Sequence, residues 1–205
     1  MPRIDDYINA RKIAAERLAK EPLDKILRRS GFAPADKASL RVPFLNRTYR
    51  IQYPEFEFVD ETGTGGEIPI QEQILILHYL LASGSRPLSG QWVSYREIPG
   101  AAFYYSAFVK RAVDPLKTVF GQNIEGLSAS AVKLNGKLIE PGDAGFEFVI
   151  FPHVPLQIIL YAGDAEFPAE ASILFDINIA EILSPEDIAW MAGMVVYRLI
   201  FLSKA

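Results

Sequence analysis

Apolar residues change their spacing several times along this chain, and each change marks an element. Over residues 4–19, Ile4, Ile8, Ala15 and Leu18, with Tyr7 and Ala14 beside them, recur at helical period. Pro22 opens a second short helix through Ile26 and Leu27, which Gly31 stops. The period then becomes two. Tyr49, Ile51 and Tyr53 alternate with Arg50 and Gln52, and Phe56 and Phe58 with Glu55 and Glu57, predicting two half-buried strands separated by Pro54. The glycines of 63–66 mark a loop before a helix over Ile68–Ala82, apolar on most sides and therefore central. A strand is expected over Gln91–Arg96, then helices over Phe103–Phe120 and Ile124–Leu134 with Pro115 and Gly121 as punctuation. Phe146–Phe151 and Leu156–Tyr161 read as strands, parted by the turn residues 152–155, and Ile173–Phe175 as a short buried strand. Ser184 supplies a capping hydroxyl, Pro185 suits the first helical position, and Glu186 and Asp187 favour the first turn of a final helix. That helix is apolar nearly all round, which places it in the core or at a dimer contact.

Connections between neighbouring strands are too short for parallel crossovers, so the strands pair antiparallel. The predicted architecture is α+β: a single domain with one mostly antiparallel sheet packed by helices, an N-terminal helix pair and a buried C-terminal helix. Residues 1–36 form the helical segment and 37–205 the α+β body, as one compact unit.

Composition narrows the chemistry. Half of the 205 residues are apolar, enough for a well-buried core. Cysteine is absent, so the chain cannot supply a disulfide, a zinc-thiolate site, iron–sulfur ligation or a cysteine nucleophile, and a reducing, cytoplasmic home is expected. Charges at Arg3, Asp5, Asp6, Arg11 and Lys12 interrupt any signal-peptide pattern, and Arg198 interrupts the apolar run 188–202; no membrane partner is expected. Of the 21 Lys and Arg residues 12 lie in the first 50 positions, against 6 of the 25 acids, so a basic segment precedes an acidic body. The positive charges are spread out and poor in aromatics, which reads as solvated helices; no nucleic-acid partner is expected.

Several residue groups carry candidate chemistry. The glycines at 63, 65 and 66 fit neither phosphate-binding fingerprint, and Asp60, Glu61 and Glu67 around them would repel phosphate. Asp164 and Glu166 sit in the loop Gly163–Pro168 between two apolar strands, either as a solvated turn or as part of a site. With Asp176 they resemble three metal ligands, but antiparallel pairing of the flanking strands sends Asp176 to the opposite end, so no metal site is expected. Asp164 is the better turn former. The same pairing brings His153 and Asp176 to one end, as a secondary candidate for a histidine–carboxylate pair or for a structural lock. The chain has no serine elbow. Residues 89–100 form the other dense segment. Alternation places Trp92, Ser94 and Arg96 on one strand face and Val93, Tyr95 and Glu97 on the other. An aromatic ring with an arginine can grip a planar or anionic ligand, and Arg96 is also expected to neutralise Asp164 or Glu166.

The segments Leu77–Leu81, Gly90–Gly100, Phe120-Gly121, Gly163–Pro168 and Leu174–Asp176, in that order and spacing, resemble a prokaryotic family catalogued as domain of unknown function 3786, over roughly residues 40–190. The resemblance implies a bacterial, anaerobic setting near one-carbon, corrinoid or iron–sulfur metabolism. Some family members carry a cysteine-rich iron–sulfur module, which this chain lacks. The resemblance brings no activity with it.

The leading expectation is a non-catalytic accessory protein that binds a small molecule or a protein partner, with Trp92, Tyr95, Arg96, Glu97, Asp164 and Glu166 flanking the pocket. No particular cofactor is indicated. The alternatives are an enzyme assisted by Asp164 and Glu166 or by His153 and Asp176, and a structural subunit that docks, as a homodimer or onto another chain, through its last helix.

Overall fold

The protein is described as a computed structural model covering residues 4–63, 66–82 and 87–204. It is α+β, with every strand pairing antiparallel. The expected sheet is divided in two: four strands in the order β1-β2-β3-β4, and five in the order β5-β9-β8-β7-β6. The chain forms two compact units, residues 1–87 with 181–183, and residues 88–180 with 184–205.

The first unit holds the helices α1 (Ile4–Leu18), α2 (Leu23–Ser30) and α3 (Ile70–Leu81), with strands β1 (Ala33–Asp36), β2 (Ser39–Phe44), β3 (Arg47–Gln52) and β4 (Glu57–Asp60). Gly31 ends α2 in the left-handed region, as its position predicts. α3 is central: Ile74, Leu75, Ile76, Leu77, Tyr79 and Leu80 are all buried. α1 packs on α3, yet of its apolar stripe only Ala14 and Leu18 are buried, while Ile4 and Ile8 stay exposed. Sequence patterning missed β1 and β2. In β2, Leu40, Val42 and Phe44 alternate inward, but Pro43 obscures the signal. Proline is tolerated because β1 pairs only with residues 39–41, leaving Pro43 without a neighbour on that side. Of the predicted glycine loop, residues 64 and 65 lie outside the described residues.

The second unit is built on β5 (Trp92–Ser94), β6 (Lys137–Ile139), β7 (Ala144–Phe151), β8 (Val154–Tyr161) and β9 (Glu170–Asp176). The helices are α4 (Tyr105–Phe108), α5 (Asp114–Phe120), α6 (Ile124–Lys133) and α7 (Pro185–Leu202). α7 starts as its sequence predicts: Ser184 Oγ accepts the Asp187 amide, with Pro185 in the first turn. Ile188, Met191, Val195, Val196 and Leu199 bury its core face, while Tyr197 and Phe201 remain largely exposed. Among the described residues no helix is long and apolar enough to cross a membrane.

The hairpin register decides the geometry of the candidate site. β8 and β9 pair antiparallel from Leu156↔Phe175 to Tyr161↔Glu170. Asp164 therefore lies past one end of the pair and Asp176 at the other, about 17 Å of strand apart.

Candidate functional site

β5 ends at Ser94 because the chain turns there. The Ser94 amide donates to Glu97 Oε2 at 2.7 Å, closing a 3₁₀ turn over Tyr95–Glu97. That bond holds the Glu97 carboxyl below its ordinary range, so Glu97 serves the turn. The predicted strand through Arg96 is thus three residues long, and side-chain alternation stops before Arg96. Tyr95 goes inward. Its ring stacks on Phe108 with centroids 4.3 Å apart, and its hydroxyl donates to the Pro185 carbonyl at 2.7 Å. Burial pushes its pKa up to about 12, which suits a neutral anchor for the start of α7.

Arg96 goes outward. Its guanidinium carbon lies 4.0 Å from the ring centroid of Tyr105, and among the described residues it has no hydrogen bond and no ion pair. The expected pairing with Asp164 or Glu166 does not form. Arg96 follows the end of β5, level with Leu174, whereas the acidic loop begins beyond the far end of β9. Trp92 is half-buried opposite Asp176, and the aromatic ring that Arg96 stacks on is that of Tyr105.

Ser94, Tyr95 and Arg96 line one side of an open hollow of about 160 Å³, Tyr105, Phe108 and Val113 another, and residues 171–174 of β9 the third. The helical wall changes winding here. Val109–Val113 is a π turn, closed by the Asp114 amide donating to the Val109 carbonyl. Pro115 explains the irregularity, because it offers no N–H to the Arg111 carbonyl one turn back. α7 approaches that same carbonyl at Gly193, where a β-carbon would come within 3.2 Å of the Arg111 oxygen. The Arg111 guanidinium lies 4.4 Å from the Trp190 ring centroid. Packing between α7 and the π turn therefore fixes the wall that carries Phe108 and Val113.

The remaining candidates are engaged in structure. Asp164 Oδ1 accepts the Glu166 and Phe167 amides at 2.8 and 2.7 Å, which makes it a turn former and holds its carboxyl below the ordinary range. Glu166 contributes its backbone to that turn, and its side chain is exposed. The loop is tied down by Gly163 donating to the Gly121 carbonyl at 3.0 Å and by Gln122 Nε2 donating to the Gly163 carbonyl at 2.8 Å. Asp176 is buried. Its Oδ2 accepts from the Ser89 amide, the Ser89 hydroxyl and the Gly90 amide at 2.8–2.9 Å, and its Oδ1 from the Asn178 amide at 3.0 Å. Burial alone would raise its pKa, but these bonds outweigh it and the net direction is down. His153 does lie at the same end of the hairpin, in the β7–β8 turn, yet none of these four bonds comes from it. Asp176 is a lock for residues 89–90, and the histidine–carboxylate pair does not form. Among the described residues no group of three or more His, Asp or Glu side chains is placed to hold a metal ion.

Sequence reasoning found Tyr95 and Arg96 and missed Tyr105, Phe108 and the β9 backbone. The aromatics at 104, 105 and 108 were a legible signal, since helical spacing puts two of them on one face.

Residues 22–198 match the family described as Domain of unknown function (DUF3786). The chain belongs to that family. The DUF3786 match runs from the start of α2 into the last turns of α7, beyond both limits of the resemblance read from the sequence. No curated protein and no solved structure matches the chain.

Proposed function

We propose that the protein binds a carboxylate-bearing ligand in the hollow beside Arg96 and acts as a non-catalytic accessory protein. One observation carries this reading: a guanidinium with no acidic or hydrogen-bonding partner among the described residues, held against an aromatic ring at the mouth of a partly apolar hollow. Stacking leaves the edge of the guanidinium fork open, and that edge matches a carboxylate with two parallel hydrogen bonds. A hollow of about 160 Å³ is too small to enclose a flavin, a folate or a corrinoid, so the bound group is a small acid or the end of a larger partner. Asp164 and Asp176 both hold backbone amides, which supports the binding reading over acid–base work by either carboxylate. Several lysines and arginines of the first unit meet carboxylates, as in Lys25–Glu21, Arg28–Asp24 and Arg41–Glu61, and we propose no nucleic-acid partner. The setting we propose is the cytoplasm of an anaerobic bacterium, supported by the absence of cysteine and by the family resemblance.

Titrating N-acetylvaline into the ¹⁵N-labelled protein tests the reading. Saturable shifts at the amides of residues 94–96 and 171–174, weakened about tenfold (about 1.4 kcal/mol) in Arg96→Ala, are expected. Absence of shifts at millimolar ligand, or equal binding by Arg96→Ala, rejects it.

A second reading rests on α7, where Tyr197 and Phe201 are 57% and 65% exposed in line with Trp190 and Met194. That stripe suits docking of the helix onto a second copy or another chain. Light scattering before and after Met194→Glu decides it: a monomer in both cases rejects self-association.

A further inference from the structure

The hollow lies against an open sheet edge. β5 pairs with residues 174–176 of β9, whereas β9 begins at Glu170. Among the described residues no strand pairs with 170–173 on the side away from β8. Backbone groups of successive residues point to alternate sides of a strand. The Ile177 amide donates to Gln91 on the β5 side, so in steps of two the backbone groups of Phe175, Ile173 and Ala171 face that side as well. Those of Phe175 meet Val93. Those of Ala171 lie beyond the last residue of β5, as does the Ile173 amide, and both residues line the hollow. An unpaired row of donors and acceptors is a template for another extended backbone.

We propose that the ligand is an extended peptide that adds to β9 as a further strand, with its C-terminal carboxylate on Arg96. The inference rests on the carboxylate-binding reading above and names the ligand class of that same site. Three features converge on it. The edge supplies main-chain partners at residue spacing, the helical wall of Tyr105, Phe108 and Val113 supplies an apolar side, and Arg96 supplies a cation at one end. Charge sets the direction. Arg96 stands at the β5 end of the open stretch, so the carboxyl terminus lies there and the peptide runs in the same sense as β9; the opposite sense would bring a terminal ammonium to the guanidinium. Composition follows from the faces. The side chains of Ala171 and Ile173 share the buried face with Phe175, and that of Ser172 is exposed, so the peptide residues beside them alternate apolar, polar, apolar.

Acetyl-Val-Thr-Val with a free carboxylate is therefore the probe, compared with its C-terminal amide and with N-acetylvaline by calorimetry and amide hydrogen exchange. The free acid is expected to bind at least tenfold more tightly than either comparison ligand and to slow exchange at Ala171 and Ile173 at least tenfold. Arg96→Ala, an exposed position whose folding is checked by circular dichroism, is expected to abolish the preference for acid over amide. Equal affinity for N-acetylvaline and the tripeptide, without protection of those amides, overturns the added strand and leaves the carboxylate reading standing. An amide that binds as well as the acid overturns the role given to Arg96. No binding by any of the three overturns both.

Discussion

The two ends of the β8–β9 pair each carry an aspartate, and both aspartates accept backbone amides. Asp164 does so in solvent, where its bonds close a loop of its own neighbours two and three residues away. Asp176 does so in the interior, where its bonds reach back 86 and 87 residues to fix Ser89 and Gly90 beside β9. Both carboxyls are held below their ordinary range by hydrogen bonds. The same chemistry thus gives local shape at one end and long-range assembly at the other. Asp176 gathers four donors on one buried carboxylate, so its removal breaks four bonds at once and releases the exposed Ser89–Gly90 segment from β9.

Asp176→Ala is the most damaging change expected at either end of the pair. It is expected to cost about 3 kcal/mol, the scale of a lost buried hydrogen-bond network, and to loosen β5 along with residues 89–90. Urea denaturation gives the magnitude, and amide exchange at Trp92 and Val93 reports the strand. A cost within experimental error of Asp164→Ala removes the distinction between the two ends. Acid sharpens the same point. A depressed carboxyl pKa stabilises fully above the unfolded value, about 3.9, and the contribution is lost as pH falls through the folded value. The gap between the native protein and Asp176→Asn is therefore expected to be full at pH 7 and to narrow below about pH 4.

Gly121→Ala ranks next. A β-carbon there would sit 2.5 Å from both the Ala169 side chain and the Lys117 carbonyl oxygen, so the chain after α5 or the acidic loop must move. Overpacking of this kind costs about 2 kcal/mol. Because Gly121 accepts from Gly163, the predicted signature is faster exchange of the Gly163 amide, with Ser89 and Gly90 unchanged. Loss of protection at both ends would mean that they are one cooperative element.

How much of this was legible follows the same local and long-range divide. Hairpin direction, the caps of α2 and α7 and the turn at Asp164 rest on residues close in sequence, and pattern reasoning reached them. The division into two sheets depends on which strands find each other, and no periodicity carries that. β2 was hidden by Pro43, whose tolerance depends on how far β1 reaches. At the site, Arg96 and Tyr95 were visible as residue types, but their directions were set by the Glu97 turn, which ended β5 at Ser94, two residues before Arg96. Asp164 and Glu166 were linked to Arg96 by charge alone; register, not charge, decides distance.

Tyr95→Phe tests a smaller contact between the site and α7. It removes the 2.7 Å bond to the Pro185 carbonyl but keeps the ring on Phe108, so a loss of about 1 kcal/mol is expected. N-acetylvaline binding should be retained, since Arg96 and Tyr105 are untouched. Binding lost with stability intact would turn the tyrosine hydroxyl from a structural anchor into a ligand contact.

The smallest effect belongs to Asp164→Ala. Its carboxylate is exposed, and the amides it leaves can turn to water, so global stability should move far less than for Asp176→Ala. What should change is local: faster exchange at Glu166 and Phe167, with Gly163 still held by Gly121. Asp164→Asn should restore most of the protection, because its side-chain oxygen can accept the same two amides without charge. If the asparagine variant instead behaves like alanine, the negative charge rather than the turn geometry orders the loop. The two aspartates would then differ in the kind of force they exert as well as in burial, and Asp164 would again be a candidate for contact with a cationic partner.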